Sequence, residues 1–142
     1  MESAALGLIL DSSIVIEAER QRLNVARFLK YLADRFGEQE VALSAISVAE
    51  LAHGICRADT IERRQALRAS LDDLKATVPV YPITAETGEL VGKINAECAQ
   101  NGVTIPFDDL LIGGCALELG YAVATRNVRH FQRIPGLKLI SI

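Results

Sequence analysis

Leu6-Gly7-Leu8-Ile9-Leu10-Asp11 is an apolar run closed by an acid. It is too short for a helix and shows no polar alternation. It therefore predicts a strand buried on both faces, as in a parallel sheet. Ser12 and Ser13 follow, and a helical pattern runs from about Ser13 to Glu19. Asp11 thus falls where a strand gives way to a helix.

The same alternation continues outward along the chain. Val25, Phe28, Leu29, Leu32 and Phe36 are spaced for a helix over Asn24 to Phe36, closed by Gly37. Val41 to Ser44 reads as a second strand, and Ser47 as the cap of a helix carrying Val48, Leu51, Ala52 and Ile55. Thr60 opens a charged amphipathic helix to about Lys75. Val80 to Ile83 reads as a third strand, at an edge because Pro79 and Pro82 flank or enter it. Helices are expected over Ala85 to Gln100 and Asp108 to Leu119, and strands over Tyr121 to Thr125 and Leu137 to Ile142. Strands separated by helices imply an α/β fold: a mainly parallel central sheet of about five strands flanked by helices. No repeat or linker divides the chain, so residues 1–142 are expected to form one domain.

Composition narrows the function. Half of the 142 residues are hydrophobic, Trp is absent, and the net charge is −3. That charge argues against nonspecific coating of duplex nucleic acid, which needs a basic field. No apolar run approaches the roughly 20 residues of a membrane span, and no export signal is visible, so a cytoplasmic protein is expected. Cys56, Cys98 and Cys115 are odd in number and widely spaced; they read as buried thiols in a reducing compartment.

Three carboxylates stand at strand-to-helix junctions: Asp11, Glu50 in Ser47-Val48-Ala49-Glu50-Leu51, and Asp109 in Phe107-Asp108-Asp109-Leu110. In an open α/β sheet such junctions meet at the carboxyl edge, where ligands bind. Acids gathered there repel by roughly 4 kcal/mol per pair at ~4 Å and an effective dielectric of 20. A cation relieves this, and oxygen-only donors favour Mg²⁺ or Mn²⁺. Each acid also has a local explanation. Asp11 fits an N-cap. Ser47 and Glu50 fit a capping box, the stronger reading of Glu50 taken alone. One of Asp108 and Asp109 can cap the apolar helix that follows, which leaves the other facing a polar site. Thr125 and Asn127, after the fourth strand, reach the same edge by topology.

Other metal chemistries find no support. Glu50 and His53 form one E-x-x-H pair, but a di-iron site needs two, and His130 has no Glu three residues before it. There is no zinc spacing and no Gly-rich phosphate loop.

Taken together, Leu10-Asp11-Ser12-Ser13, Ser44 through Leu51, Asp109 through Ala116, and Ala124 through Phe131 resemble the PIN-domain family, most closely the VapC-type toxins of toxin–antitoxin pairs. The resemblance implies a single PIN-like domain with a Mg²⁺- or Mn²⁺-dependent endoribonuclease site. It assigns Asp11, Glu50 and Asp109 as the core acids, with Asp109 preferred over Asp108 by its distance from Ile112. Asp11 and Asp109 would ligate the ion, and Glu50 would ligate it or hold the attacking water. Ser13 matches a polar position that assists the first acid, and Asn127 falls where some members carry a fourth acid. Gly113-Gly114 replaces the usual pair of alanines, at a cost of roughly 1 kcal/mol each in helix propensity.

The implied substrate is single-stranded or structured RNA, with Arg126, Arg129, His130 and Arg133 as candidate phosphate contacts. The implied partners are a homodimer mate and a VapB-type antitoxin, whose helix would lie against the apolar faces of Asn24–Phe36 and Ser47–Arg57. The competing expectation is a non-catalytic PIN-like interaction module holding a structural ion. Phosphomonoester hydrolysis is disfavoured, because Ser13 stands where a second Asp would be needed.

Overall fold

A computed structural model describes residues 5–142; the first four residues of the expected domain lie outside the described residues. The elements run β1 (Gly7–Leu10), α1 (Ser12–Arg20), α2 (Val25–Phe36), β2 (Glu40–Ser44), α3 (Ala45–Arg57), α4 (Ile61–Thr77), β3 (Val80–Tyr81), α5 (Ala85–Gln100), α6 (Phe107–Leu119), β4 (Ala122–Thr125), α7 (Val128–Phe131) and β5 (Leu139–Ser141). The five strands form one sheet in the order β3-β2-β1-β4-β5, and every pairing is parallel. Leu8 pairs with Val41 on one side and with Ala122 on the other. From β1 at the centre of the sheet the strands build outward to β3, then cross back to β4. The gap between β1 and β4 is a topological switch point, where the loops at the strand ends part to leave a crevice.

Alternation along the strands divides two cores. Ile9, Ala42 and Val123 point to the face covered by α5 and α6, where they meet Val91, Ile94, Leu110, Ile112 and Ala116. Leu8, Leu10, Leu43, Ala122 and Ala124 point to the opposite face, against Ile14, Phe28, Leu32 and Leu74. All four residues of β1 are buried, as expected of a central parallel strand. Helices α5 and α6 approach closely because Gly114 has no side chain: a Cβ there would stand 2.6 Å from Val91 Cγ2. The glycine pair that weakens α6 in isolation thus allows its packing.

Several local expectations are corrected. Helix α3 begins at Ala45, and its cap is Ser44, whose Oγ accepts from the Ser47 amide at 3.3 Å. Ser47 is already the third helical residue, and its hydroxyl donates to the Leu10 carbonyl at 3.1 Å. No capping box involving Glu50 exists, because Glu50 lies a full turn further in. Neither Asp108 nor Asp109 caps α6: the cap position is Pro106, and both acids sit in the first turn, where the helix dipole favours them. Strand β3 is two residues long, since Pro82 ends it. Cys98 and Cys115 are buried but Cys56 is exposed on α3. The face of α2 that carries Val25, Phe28 and Leu32 is spent on the core.

Candidate active site

The carboxyl ends of β1, β2 and β4 deliver the functional side chains to one place. Asp11 follows β1 directly and is only 2% exposed. It occupies the N-cap position of α1, but its side chain makes no cap bond. Its Oδ2 accepts two hydroxyls instead, from Ser13 Oγ at 2.8 Å and from Thr125 Oγ1 at 2.8 Å. Those hydroxyls are themselves oriented. Ser13 Oγ accepts from the Arg126 amide at 3.1 Å, and Thr125 Oγ1 accepts from the Asn127 amide at 2.8 Å. With their acceptor sides occupied, both hydroxyls aim their protons at Asp11. Ser13 and Thr125 thus both orient the Asp11 carboxylate. Asn127 takes part through its backbone amide.

Glu50 projects from the second turn of α3 into the same crevice. One carboxylate oxygen, Oε1, is buried without a hydrogen-bond partner. Burial raises the Glu50 carboxyl from 4.5 to about 7, helped by Asp108 and then by the charges of Asp11 and Asp109. Asp109, the third residue of α6, is 7% exposed. Burial raises its carboxyl from 3.8 to about 6, with the charges of Asp108 and Asp11 adding and His130 opposing. Asp108 is exposed and accepts from the Asp109 amide at 3.2 Å.

His130, expected with the arginines as a candidate phosphate contact, has a second neighbour that was not expected. Its Nδ1 lies 2.7 Å from Asp109 Oδ2. It therefore reaches the acidic centre while its ring stays half exposed. The signal lay in the helical offset: Phe131, on the same single-turn helix α7, is fully buried and turns His130 toward α6. Arg126 is drawn away to Glu17 of α1, at 2.5 Å. All four residues of the expected basic stretch are exposed to solvent, Arg129 and Arg133 without a contact to the acids among the described residues.

The acids act on one another through charge. Among the described residues, however, no three acidic, histidine or cysteine side chains stand at the spacing of a closed metal shell. The donor set still fits a hard divalent cation: it is all oxygen, mutually repelling, and includes the orphaned Glu50 Oε1. Asp11, Glu50 and Asp109 are the residues that could hold it, with Asp108 at the rim.

Beside the acids a groove of about 190 Å³ runs between α1, α3 and α4, lined by Val15, Ile16, Leu51, Ile55, Leu67 and Leu71. Helix α3, one of the two helices expected to offer a partner an apolar face, contributes to this groove, and α2 does not. Arg63 of α4 grips Glu19 of α1 across the groove through two nitrogens, each at 2.7 Å. Among the described residues no helix is long and apolar enough to cross a membrane.

Comparison with known proteins agrees with this geometry. The PIN domain family model matches residues 8–137. Ribonuclease VapC1 of Rickettsia felis is 28% identical over 137 residues, covering 96% of this chain and 97% of its own. Among solved structures, VapBC2 from Rickettsia felis bound to a DNA fragment from their promoter superposes with a TM-score of 0.79 at 26% identity, over 95% of this chain and 98% of that one. VapBC-1 from nontypeable Haemophilus influenzae gives a TM-score of 0.77 at 28% identity, over 94% of this chain and 96% of that one.

Proposed function

Because the chain belongs to the PIN-domain family and stands among its VapC members, we propose that it is a metal-dependent endoribonuclease, the toxin of a VapBC-type toxin–antitoxin pair. The observation that carries this reading is the buried, unpartnered Glu50 Oε1 in a crevice shared with Asp11, Asp108 and Asp109. A purely structural role leaves unexplained why four acids that repel one another are gathered in one crevice.

Bound among these acids, Mg²⁺ or Mn²⁺ would supply Lewis acidity, lowering the pKa of water and stabilising charge on the scissile phosphate. The protein's own contribution is positional. Ser13 and Thr125 fix the Asp11 carboxylate by two hydroxyl bonds to one oxygen. His130 fixes one oxygen of Asp109 and leaves the other without a bond to it. Glu50, held near neutrality, can accept a proton from an attacking water or hold that water in line. Single-stranded or looped RNA suits such an open site, because its bases can be splayed for recognition.

The partner reading rests on the α1/α3/α4 groove. Its apolar lining suits one face of an amphipathic helix, and Glu50 at its end offers a basic side chain an acid to meet. The complexes of the structural relatives are named as VapBC pairs, which supports a VapB-type antitoxin. A homodimer completes the proposal.

Cleavage of a mixed RNA pool by wild type and Asp109→Asn, with Mg²⁺, with Mn²⁺ and with EDTA, tests the enzyme. Discrete fragments from the wild type alone, lost in EDTA, are expected. Folded, partner-free protein that cleaves nothing would favour the non-catalytic module. Co-purification with a small neighbouring protein and the mass of the free chain in solution test the partners.

A further inference from the structure

Resting on the ribonuclease reading above, we infer that the RNA strand lies across the acidic centre between two fixed contacts. A base stacks on the ring of Phe107, and a phosphate of the same strand is held by Arg57.

Phe107 is 60% exposed, whereas Phe28 is 5% exposed, Phe131 is fully buried, and Phe36 packs against the core. It is the first residue of α6, immediately before Asp108 and Asp109. The start of α6 does not require it. The apolar residues at the staple positions around the Pro106 cap are Ile105 and Leu110, both buried. The ring is therefore mostly exposed, one residue before Asp108 of the acidic cleft, and the helix cap does not call for it. Aromatic rings so placed are the platforms on which single-stranded bases stack.

Phosphates entering an acidic site need a cation to offset the repulsion. The cleft that takes in Glu50 and Asp108 is also lined by His53, Gly54, Arg57 and Arg63. Arg63 is committed to Glu19. Arg57 shows no ion pair or hydrogen bond among the described residues. Glu50, His53 and Arg57 fall at i, i+3 and i+7 on one face of α3, which puts Arg57 about 10 Å along the axis from Glu50. Between them lies Gly54, where a Cβ would meet nothing within 4 Å. A glycine in mid-helix that no neighbour requires leaves the floor between acid and guanidinium open to a close-lying chain.

The test uses the full chain, free of any protein partner, with a pool of single-stranded RNAs of about 20 nucleotides. KM and kcat are measured in Mg²⁺, affinity in EDTA over a salt series, and thermal stability for each variant. Phe107→Ala should raise KM and Kd about 5- to 150-fold, the range for losing one stacked base. Its salt dependence should not change, and Phe107→Tyr should restore binding. Arg57→Gln should lower the slope of log affinity against log salt by about 0.7, the value for one phosphate contact on a single strand. Both variants should keep the wild-type melting temperature and kcat.

Unchanged KM and salt slope in variants of a wild type that cleaves RNA would overturn the strand path alone. So would defects confined to self-association or to capture of a small protein partner. A wild type that neither binds nor cleaves RNA would overturn both the path and the ribonuclease reading.

Discussion

His130 Nδ1 lies 2.7 Å from Asp109 Oδ2, joining the single-turn helix after β4 to the first turn of α6. The contact orients one of the acids proposed to hold the cation, and it joins two helices that share one core through Phe131 and Ile112. His130→Ala should lower metal affinity or cleavage about 10- to 100-fold, the usual cost of losing a group that orients a ligand. His130→Gln should lie between the two. A Mg²⁺ titration of cleavage rate separates the cases, and an unchanged midpoint for the alanine variant would remove His130 from the site.

The raised carboxyls make a stability prediction for metal-free protein. Glu50 titrates near 7 in the fold against 4.5 ordinarily, and Asp109 near 6 against 3.8. The native state therefore holds more protons than the unfolded state between about pH 4 and 7. Stability contributed by these groups is present at the acid end of that window and is lost as pH rises through the folded values. In EDTA the melting temperature should fall from pH 4.5 to pH 7, less steeply in Glu50→Gln and Asp109→Asn. Added Mg²⁺ should raise it most at the upper end, where the carboxylates are ionised. A melting temperature indifferent to Glu50→Gln across this range would contradict the assignment.

Thr125 and Asn127 separate a side-chain role from a backbone one. Thr125→Val keeps the shape but takes one hydroxyl from Asp11 Oδ2 and the acceptor from the Asn127 amide. A loss of about 1–3 kcal/mol in stability is expected, measured by urea denaturation, together with slower cleavage. Asn127→Ala leaves the amide in place and should change stability by less than about 0.5 kcal/mol. Equal effects from the two would show that the Asn side chain acts after all.

The glycine pair in α6 makes an asymmetric prediction. A Cβ at Gly114 meets Val91 Cγ2 at 2.6 Å, while one at Gly113 meets Ile134 Cδ1 at 2.7 Å. Val91 is branched at Cβ and stiff; Ile134 presents the far end of a longer side chain that can turn aside. Gly113→Ala should be close to neutral, its clash offset by a helix-propensity gain of about 1 kcal/mol. Gly114→Ala should destabilise by about 1–3 kcal/mol before that offset. Thermal melts of the two variants decide it.

The strands and long helices were legible because burial writes itself into periodicity. Leu8-Ile9-Leu10 is apolar at every position since both faces of β1 are covered. The meeting of Asp11, Glu50 and Asp109 at one sheet edge followed from parallel topology. What failed was local. Ser44 and Ser47 are three residues apart and chemically alike, so sequence cannot tell which one caps α3. That choice depends on Ser47 finding the Leu10 carbonyl, a tertiary contact across 37 positions. The His130–Asp109 contact was missed for the same reason: no local pattern records which way a one-turn helix faces. The α1/α3/α4 groove was not anticipated because α2 and α4 both carry an apolar stripe, and only packing shows that the Val25, Phe28 and Leu32 face of α2 lies in the core.

The central position of β1 also has a consequence for how the protein comes into being on the ribosome. Asp11 emerges well before Thr125, which holds it and is 114 positions behind, and β4, which completes the flank of β1, is equally late. At about 5–20 residues per second, translation separates the two by roughly 6 to 23 seconds. During that interval the first strand has only its β2 side to pair with, and the acidic centre has no floor. The acidic centre is thus completed only when β4 arrives, so an incomplete nascent chain carries its carboxylates without the contact from Thr125 that orients Asp11.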